Sequence, residues 1–245
     1  MDIRDVKFPP LSKDAHNVHE IRKKFFRQNG EIAVKNLRKN NFDAVYCDSL
    51  KEGRDALLDL VKEGSIVAFG DSHTIFSLDL EPSLKDKKCT LIPYTCAVNK
   101  TAFVNNMEGF NILGDSDLTL EILKSYMTAN VFLLSANAIT VRGEIVNIDG
   151  AGNRIAGSIF GPDRIVVVAG ANKVVPSIDA ALSRIRDVAA QMNNIKYDNE
   201  LSCNKAGYCL ECANEERNCN VTAIYHKKPV ASDFHVIIIG EELGF

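Results

Sequence analysis

Residues 42–70 read FDAVYCDSLKEGRDALLDLVKEGSIVAFG, a strand, a helix and a strand in succession. Phe42 to Cys47 is short, apolar and β-prone. Ser49-Leu-Lys-Glu52 is a capping box, in which the serine hydroxyl satisfies a free N–H of the first helical turn and the glutamate reaches back. The helix it opens carries Leu57, Leu58, Leu60 and Val61 and stops at Gly64. Ser65 to Gly70 is apolar without alternation, the pattern of a strand covered on both faces of a parallel sheet. That order predicts a right-handed parallel crossover.

The alternation continues on the C-terminal side. Cys89 to Pro93 reads as a short strand, Asp117 to Met127 as a helix, and Ala129 to Leu134 and Ile165 to Ala169 as buried strands. Phe234 to Gly240 is apolar enough to lie inside the sheet. From Thr140, TVRGEIVNIDGAGN predicts a hairpin turning at Gly143, then a glycine loop and irregular chain. Pro176 to Met192 predicts a helix with Ile178, Ala181, Leu182, Ile185, Ala189 and Met192 on one face. Toward the N-terminus, Ile21, Phe25, Ile32, Val34 and Leu37 within a charged background suggest one or two amphipathic helices broken near Asn29-Gly30. The expected fold class is therefore α/β: a mainly parallel sheet flanked by helices, one domain over residues 1–245, with an N-terminal helical arm (1–40) and a cysteine-rich loop as an excursion (198–230).

The composition excludes several function classes. With 46% hydrophobic residues the chain can bury a full core. A net charge of −3, no Trp and no basic runs leave no electrostatic footprint for nucleic acid. No apolar run approaches the roughly 20 residues needed to span a bilayer, and Met-Asp-Ile-Arg-Asp opens no signal-peptide core. A cytoplasmic protein without a membrane partner is expected, in a compartment where thiols stay reduced.

Against that background Cys203, Cys209, Cys212 and Cys219, within seventeen residues, read as a metal or cluster site. Four thiolates close a tetrahedral zinc site, with His226 as a spare ligand. They serve an iron–sulfur cluster equally, and the spacing does not choose between the two. Cys47, Cys89 and Cys96 lie in or near apolar runs and read as packing residues.

Three segments are candidates for ligand chemistry. Gly70-Asp71-Ser72-His73-Thr74 follows a buried strand and precedes a helix, where open α/β sheets collect ligands and free N–H groups favour anions. A plain turn with Ser72 or Thr74 as helix cap is the competing reading. His73 is a candidate acid or base. Asn137, Thr140, Glu144 and Asp149, with Gly150 beside them, sit on a strand end, hairpin and glycine loop; Glu144 and Asp149 are the candidate bases, against an alternative in which Asp149-Gly150 only makes a turn. Gly170-Ala-Asn172-Lys173 ends another strand, and Lys173 suits neutralisation of an anion. The set expected around a small anionic ligand is Gly70, Asp71, Ser72, Thr74, Asn137, Gly150, Asn172 and Lys173. Glu241-Glu242 offers a further carboxylate.

Taken together, the Gly70–Thr74 loop, the run SANAITVRGEIVNIDGAGNRIAGSIFGPDRIVVVAGANK from Ser135 to Lys173, the cysteine cluster and the terminal Glu241-Glu-Leu-Gly-Phe245 resemble the LUD-domain (lactate-utilisation) family over roughly residues 20–245. The resemblance implies a fold of the NagB/RpiA/CoA-transferase-like type. It also implies a redox-associated role in oxidation of lactate or a related hydroxy acid to the keto acid, beside a partner subunit carrying iron–sulfur clusters, and admits a homo-oligomer. Two other classes compete: a sugar-phosphate or acyl-CoA transforming enzyme with structural zinc and Asp149 or Glu144 as base, and a non-catalytic ligand-binding subunit.

Overall fold

The computed structural model describes residues 10–92, 116–197 and 200–245, with the backbone alone for residues 116–120. The first helix, α1 (Val18–Lys39), opens where the Asn17 side chain accepts from Glu20 N. It runs unbroken through Gly30, so the expected break is not there. A Cβ on Gly30 would lie 2.6 Å from the ring of Tyr46. The glycine serves close approach of helix to strand.

The predicted crossover is present as β1 (Asp43–Cys47), α2 (Leu50–Asp59) and β2 (Ile66–Phe69). Ser49 Oγ accepts from Glu52 N at 3.3 Å. Glu52 Oε2 reaches back to Asp48 N at 3.0 Å, one residue earlier than the capping box requires. The chain continues through α3 (His73–Ser77), α4 (Glu81–Asp86), β3 (Thr90–Ile92), α5 (Ser116–Ser125), β4 (Val131–Ser135), β5 (Ala138–Thr140) and β6 (Ile145–Asp149). Then come α6 (Asn153–Ile159), β7 (Arg164–Gly170), β8 (Val174–Val175), α7 (Ile178–Arg184), α8 (Ala190–Lys196), α9 (Ser202–Ala206), β9 (Val221–Tyr225) and β10 (Asp233–Ile239). Pro93, expected at the end of a strand, and Cys96, expected in the core, lie outside the described residues.

Six of these strands form a sheet in the order β1-β10-β7-β4-β2-β3, and every pair in it is parallel. The last strand is inserted between β1 and β7, as its apolar sequence predicts. Alternate residues feed two cores. Ile165, Val167, Ala169, Phe132 and Ile238 face the layer that includes Leu37 and Tyr126. Val166, Val168, Leu133 and Ile237 face Leu57, Ile75 and Leu84. Helices on both faces cover the sheet, so neither side of a central strand needs polar residues.

Three features depart from expectation. The hairpin at Gly143 exists, but β5 and β6 belong to a second sheet in the order β8-β5-β6-β9. The chain expected to be irregular after it holds α6, because the Asp149 carboxylate accepts from Arg154 N at 2.9 Å and Ile155 N at 3.2 Å at the helix start. The Pro176–Met192 helix carries a π-helical turn at Ile185–Ala189. The extra residue rotates the apolar face, which leaves Met192 44% exposed and buries Gln191 and Asn194 instead. Among the described residues no helix is long and apolar enough to cross a membrane.

Replacing Gly30 with Val should drive a branched side chain into Tyr46 and cost about 1–3 kcal/mol, the usual range for overpacking. Urea unfolding would read it as a lower midpoint, and an unchanged midpoint would show that the α1–β1 contact yields freely.

Candidate functional site

Parallel strands end on one edge of their sheet, and here that edge carries Gly70 after β2, Ser135 at the end of β4 and Gly170 at the end of β7. A cleft of about 400 Å³ opens beside them. Into it project Asp71, Ser72 and His73 from the loop after β2, Ser135 and Asn137 after β4, and Lys173 after β7. Asp149, Gly150 and Arg154 from the hairpin and α6, Lys196 and Tyr197 from the end of α8, and Asn218 complete its polar wall.

The centre of the arrangement is Lys173. It is only 3% exposed. Its Nζ donates to Thr74 Oγ1 at 3.0 Å and Ser135 Oγ at 3.1 Å, and among the described residues it has no carboxylate partner. Thr74 Oγ1 in turn donates to the Leu243 carbonyl at 3.1 Å, so both hydroxyls are held in place. Burial, helped by the nearby charges of Arg184 and Arg154, lowers the Lys173 ammonium to a pKa of about 7. A buried cation is ordinarily paired with an acid. This one is solvated by two hydroxyls and faces a cleft.

The other charges of the cleft are committed. Asp71 accepts from Lys196 Nζ and from the Tyr197 hydroxyl. Arg154 donates to the Ile148 carbonyl at 2.7 Å and to the Asp71 carbonyl at 3.3 Å, and its Nε lies 3.8 Å from Asp149. Lys173, Lys196 and Arg154 therefore stand against Asp71 and Asp149 in the lining, one positive charge in excess when Lys173 is protonated. His73 packs at a tilt against Phe245, with ring centroids 5.0 Å apart. Burial, reinforced by Lys196, depresses its pKa.

Sequence reasoning brought several of these residues to the right edge, with roles the structure sorts differently. Ser72 is the N-cap of α3, its Oγ accepting from Ile75 N. Asn137 lines the cleft, but its Oδ1 accepts from Ile148 N at 2.9 Å and fastens the hairpin. Asn172 holds the tail, accepting from Leu243 N at 3.1 Å. Glu144 lies at the hairpin turn, bonded to the Thr140 hydroxyl, and does not line the cleft. Asp149 lines it, with one carboxylate oxygen taken by two backbone N–H groups. Glu241 accepts from Leu50 N and Glu242 pairs with Arg22, so neither reaches the cleft. Arg154, Lys196, Tyr197 and Asn218 were not among the candidate ligand residues; only the fold gathers them. Gly244, in the left-handed region at φ +59°, lets the tail lie against the site, since a Cβ there would stand 2.6 Å from Thr74 Oγ1.

The four clustered cysteines line a second cavity, of about 270 Å³. Arg217 donates from Nε to Cys219 Sγ at 3.2 Å, and Asn194 Nδ2 to Cys203 Sγ at 3.4 Å. The Asn214 backbone N–H, aided by the Ser202 hydroxyl and Arg217, lowers the Cys212 thiol. His226 is exposed and does not line this cavity. Cys47 is the opposite case: buried in the core, its thiol pushed up to about 11, it is a packing residue.

A family model described as the LUD domain matches residues 30–239. Among solved structures, the crystal structure of a DUF162 family protein from Deinococcus radiodurans aligns with a TM-score of 0.45 and 10% identity, covering 94% of this chain and 99% of that one. No curated protein matches the sequence.

The depressed Lys173 pKa has a consequence for stability. The folded state holds the amine less tightly protonated than the unfolded chain does, so the penalty is complete below pH 7 and fades as pH rises toward the ordinary value of 10.5. Lys173→Met should be more stable than the native chain at pH 6, with the advantage shrinking by about 1.4 kcal/mol per pH unit above pH 7. Urea midpoints at pH 6, 7.5 and 9 check this; parallel pH profiles for the two proteins would mean Lys173 stays protonated in the fold.

Proposed function

The chain belongs to the LUD-domain family and is a lactate-utilisation-related protein, and from that premise we propose that its cleft binds a short hydroxy- or keto-carboxylate in a redox-associated, cytoplasmic step of hydroxy-acid metabolism. The observation that carries this reading is the Lys173 ammonium, buried against two hydroxyls with no carboxylate of the described residues to neutralise it. A ligand carboxylate supplies the missing charge, and the energy spent on burying the lysine then goes into recognition. His73 and Phe245 offer an aromatic wall beside it, and with Lys196 paired to Asp71 and Arg154 beside Asp149, Lys173 is the surplus positive side chain of the lining.

In this reading the chain's own residues hold the acid anion and its hydroxyl or keto oxygen. Thr74 and Ser135 orient the amine, and His73, its pKa depressed by burial and Lys196, is the proposed acceptor of the substrate proton. Cys203, Cys209, Cys212 and Cys219 are the proposed ligands of a metal or cluster, which supplies electron transfer if it is iron–sulfur and only bracing if it is zinc. An iron–sulfur partner subunit is the proposed electron acceptor. The competing reading with Glu144 or Asp149 as catalytic base loses support from the geometry, because Glu144 lies away from the cleft and Asp149 is tied to the start of α6.

Calorimetric titration with L-lactate and with pyruvate tests the proposal. These acids stay ionised across pH 6–8, so weaker binding as pH rises through about 7 should report loss of the Lys173 proton. Lys173→Met should lower the affinity at pH 6 by at least about tenfold and flatten the pH dependence. Equal affinity in the two proteins, or no heat with either acid, would reject the assignment.

A further inference from the structure

The cysteine cavity offers a second chemistry, which rests on the proposed role of its four thiols as ligands and specifies their occupant. A single metal ion bound at about 2.3 Å draws four thiolates into a tight tetrahedron with sulfurs roughly 3.8 Å apart. Among the described residues, no three of the sulfurs of Cys203, Cys209, Cys212 and Cys219 lie within 4.8 Å of one another. Yet all four line the same cavity of about 270 Å³, and each of the four is a free thiol. Four ligands of one type that share a cavity without converging on a single point suit a polynuclear centre, whose thiolates bind different metal atoms.

The walls fit the same occupant. Ile185 and Leu201 supply a dry lining. The Asn194 amide and the Arg217 guanidinium donate N–H···S bonds to two of the sulfurs, the contacts by which proteins set the potential of a thiolate-bound cluster. The Ser202 side chain hydrogen-bonds Cys212 and helps lower its thiol. Arg217 also offsets the negative charge that thiolates at Cys219, Cys212 and Cys209 bring together.

The cavity adjoins the anion cleft. Ile148 and Ala190 line both spaces. Asn218, on the cleft side, donates to Asn194 Oδ1 at 2.8 Å, and Asn194 donates onward to Cys203.

We infer that the cavity holds a polynuclear iron–sulfur cluster on Cys203, Cys209, Cys212 and Cys219, with Asn194 a positioning residue that joins the cluster thiolates to the cleft. Each thiol gives up its proton to solvent on binding iron, inorganic sulfide bridges the irons, and ferric iron taken up with ferrous iron supplies the oxidised level of the cluster, so that no electron is left over.

The test uses the full chain purified without oxygen, or the native chain reconstituted with ferric and ferrous iron and sulfide. Iron and acid-labile sulfide should be found in equal amounts, about two or about four of each per chain, with broad visible absorption that dithionite bleaches. Asn194→Leu, close in volume, should keep the iron and lower the midpoint potential, since it removes a hydrogen bond that favours the more negative reduced cluster. Because Cys209→Ser risks losing the fold of the loop, reconstitution of the native chain carries the main result. One zinc, or one iron without sulfide, overturns the cluster and leaves the cysteines as ligands; no bound metal after reconstitution overturns both. An unchanged potential in the Asn194 variant removes Asn194 from its assigned role. Lactate titration of the metal-free chain reads the cleft separately, so failure of the cluster and failure of the anion site are distinguishable.

Discussion

The threading of the last strand, β10, into the interior of the parallel sheet organises everything near the cleft. A strand hydrogen-bonded on both sides and apolar on both faces must place its following residues at the carboxyl edge, alongside the ends of β2, β4 and β7. That delivers Leu243, Gly244 and Phe245 onto Thr74, Lys173 and His73. The closing segment of the sequence thus helps enclose a site whose polar groups come from loops far earlier in the chain.

Around that edge the protein accepts an energetic cost. Charged lysines are rarely buried without an acid, and the sequence supplies two acids nearby, Asp71 and Asp149. Both are turned to other partners, Asp71 to Lys196 and Tyr197 and Asp149 to the start of α6. The lysine is left with hydroxyls alone, an arrangement that is poor for stability and on which the proposed anion site rests. Polar residues with structural tasks, Ser72 as a cap and Asn137 as a hairpin clasp, keep the loops rigid enough for this to persist.

The second sheet has a different task. Its edge strand β9 pairs antiparallel with β6, and β6 leads directly into Asp149 and the cleft. The chain between α8 and β9 must therefore return to the same side of the molecule, and it is this return that carries the cysteines. Placing the two cavities back to back follows from the pairing of β6 with β9; no spacing in the cysteine motif implies it.

Pattern along the chain was sufficient for the parallel α/β class, because buried strands and capped helices announce themselves through local periodicity and side-chain chemistry: FDAVYC, SIVAFG and FHVIII needed no distant partner to be read. Lys173, Thr74 and the four cysteines were also legible, as polar or thiol residues at strand ends and in a dense cluster. The second sheet, the π turn that exposes Met192, and the cleft walls Arg154, Lys196 and Asn218 were not. Those depend on pairings across long stretches of chain, and a cation whose acid has been taken by another residue looks the same in sequence as one that is paired. Only the tertiary structure decides which carboxylates are already spent, because burial and hydrogen-bond competition act between residues that are neighbours in space alone.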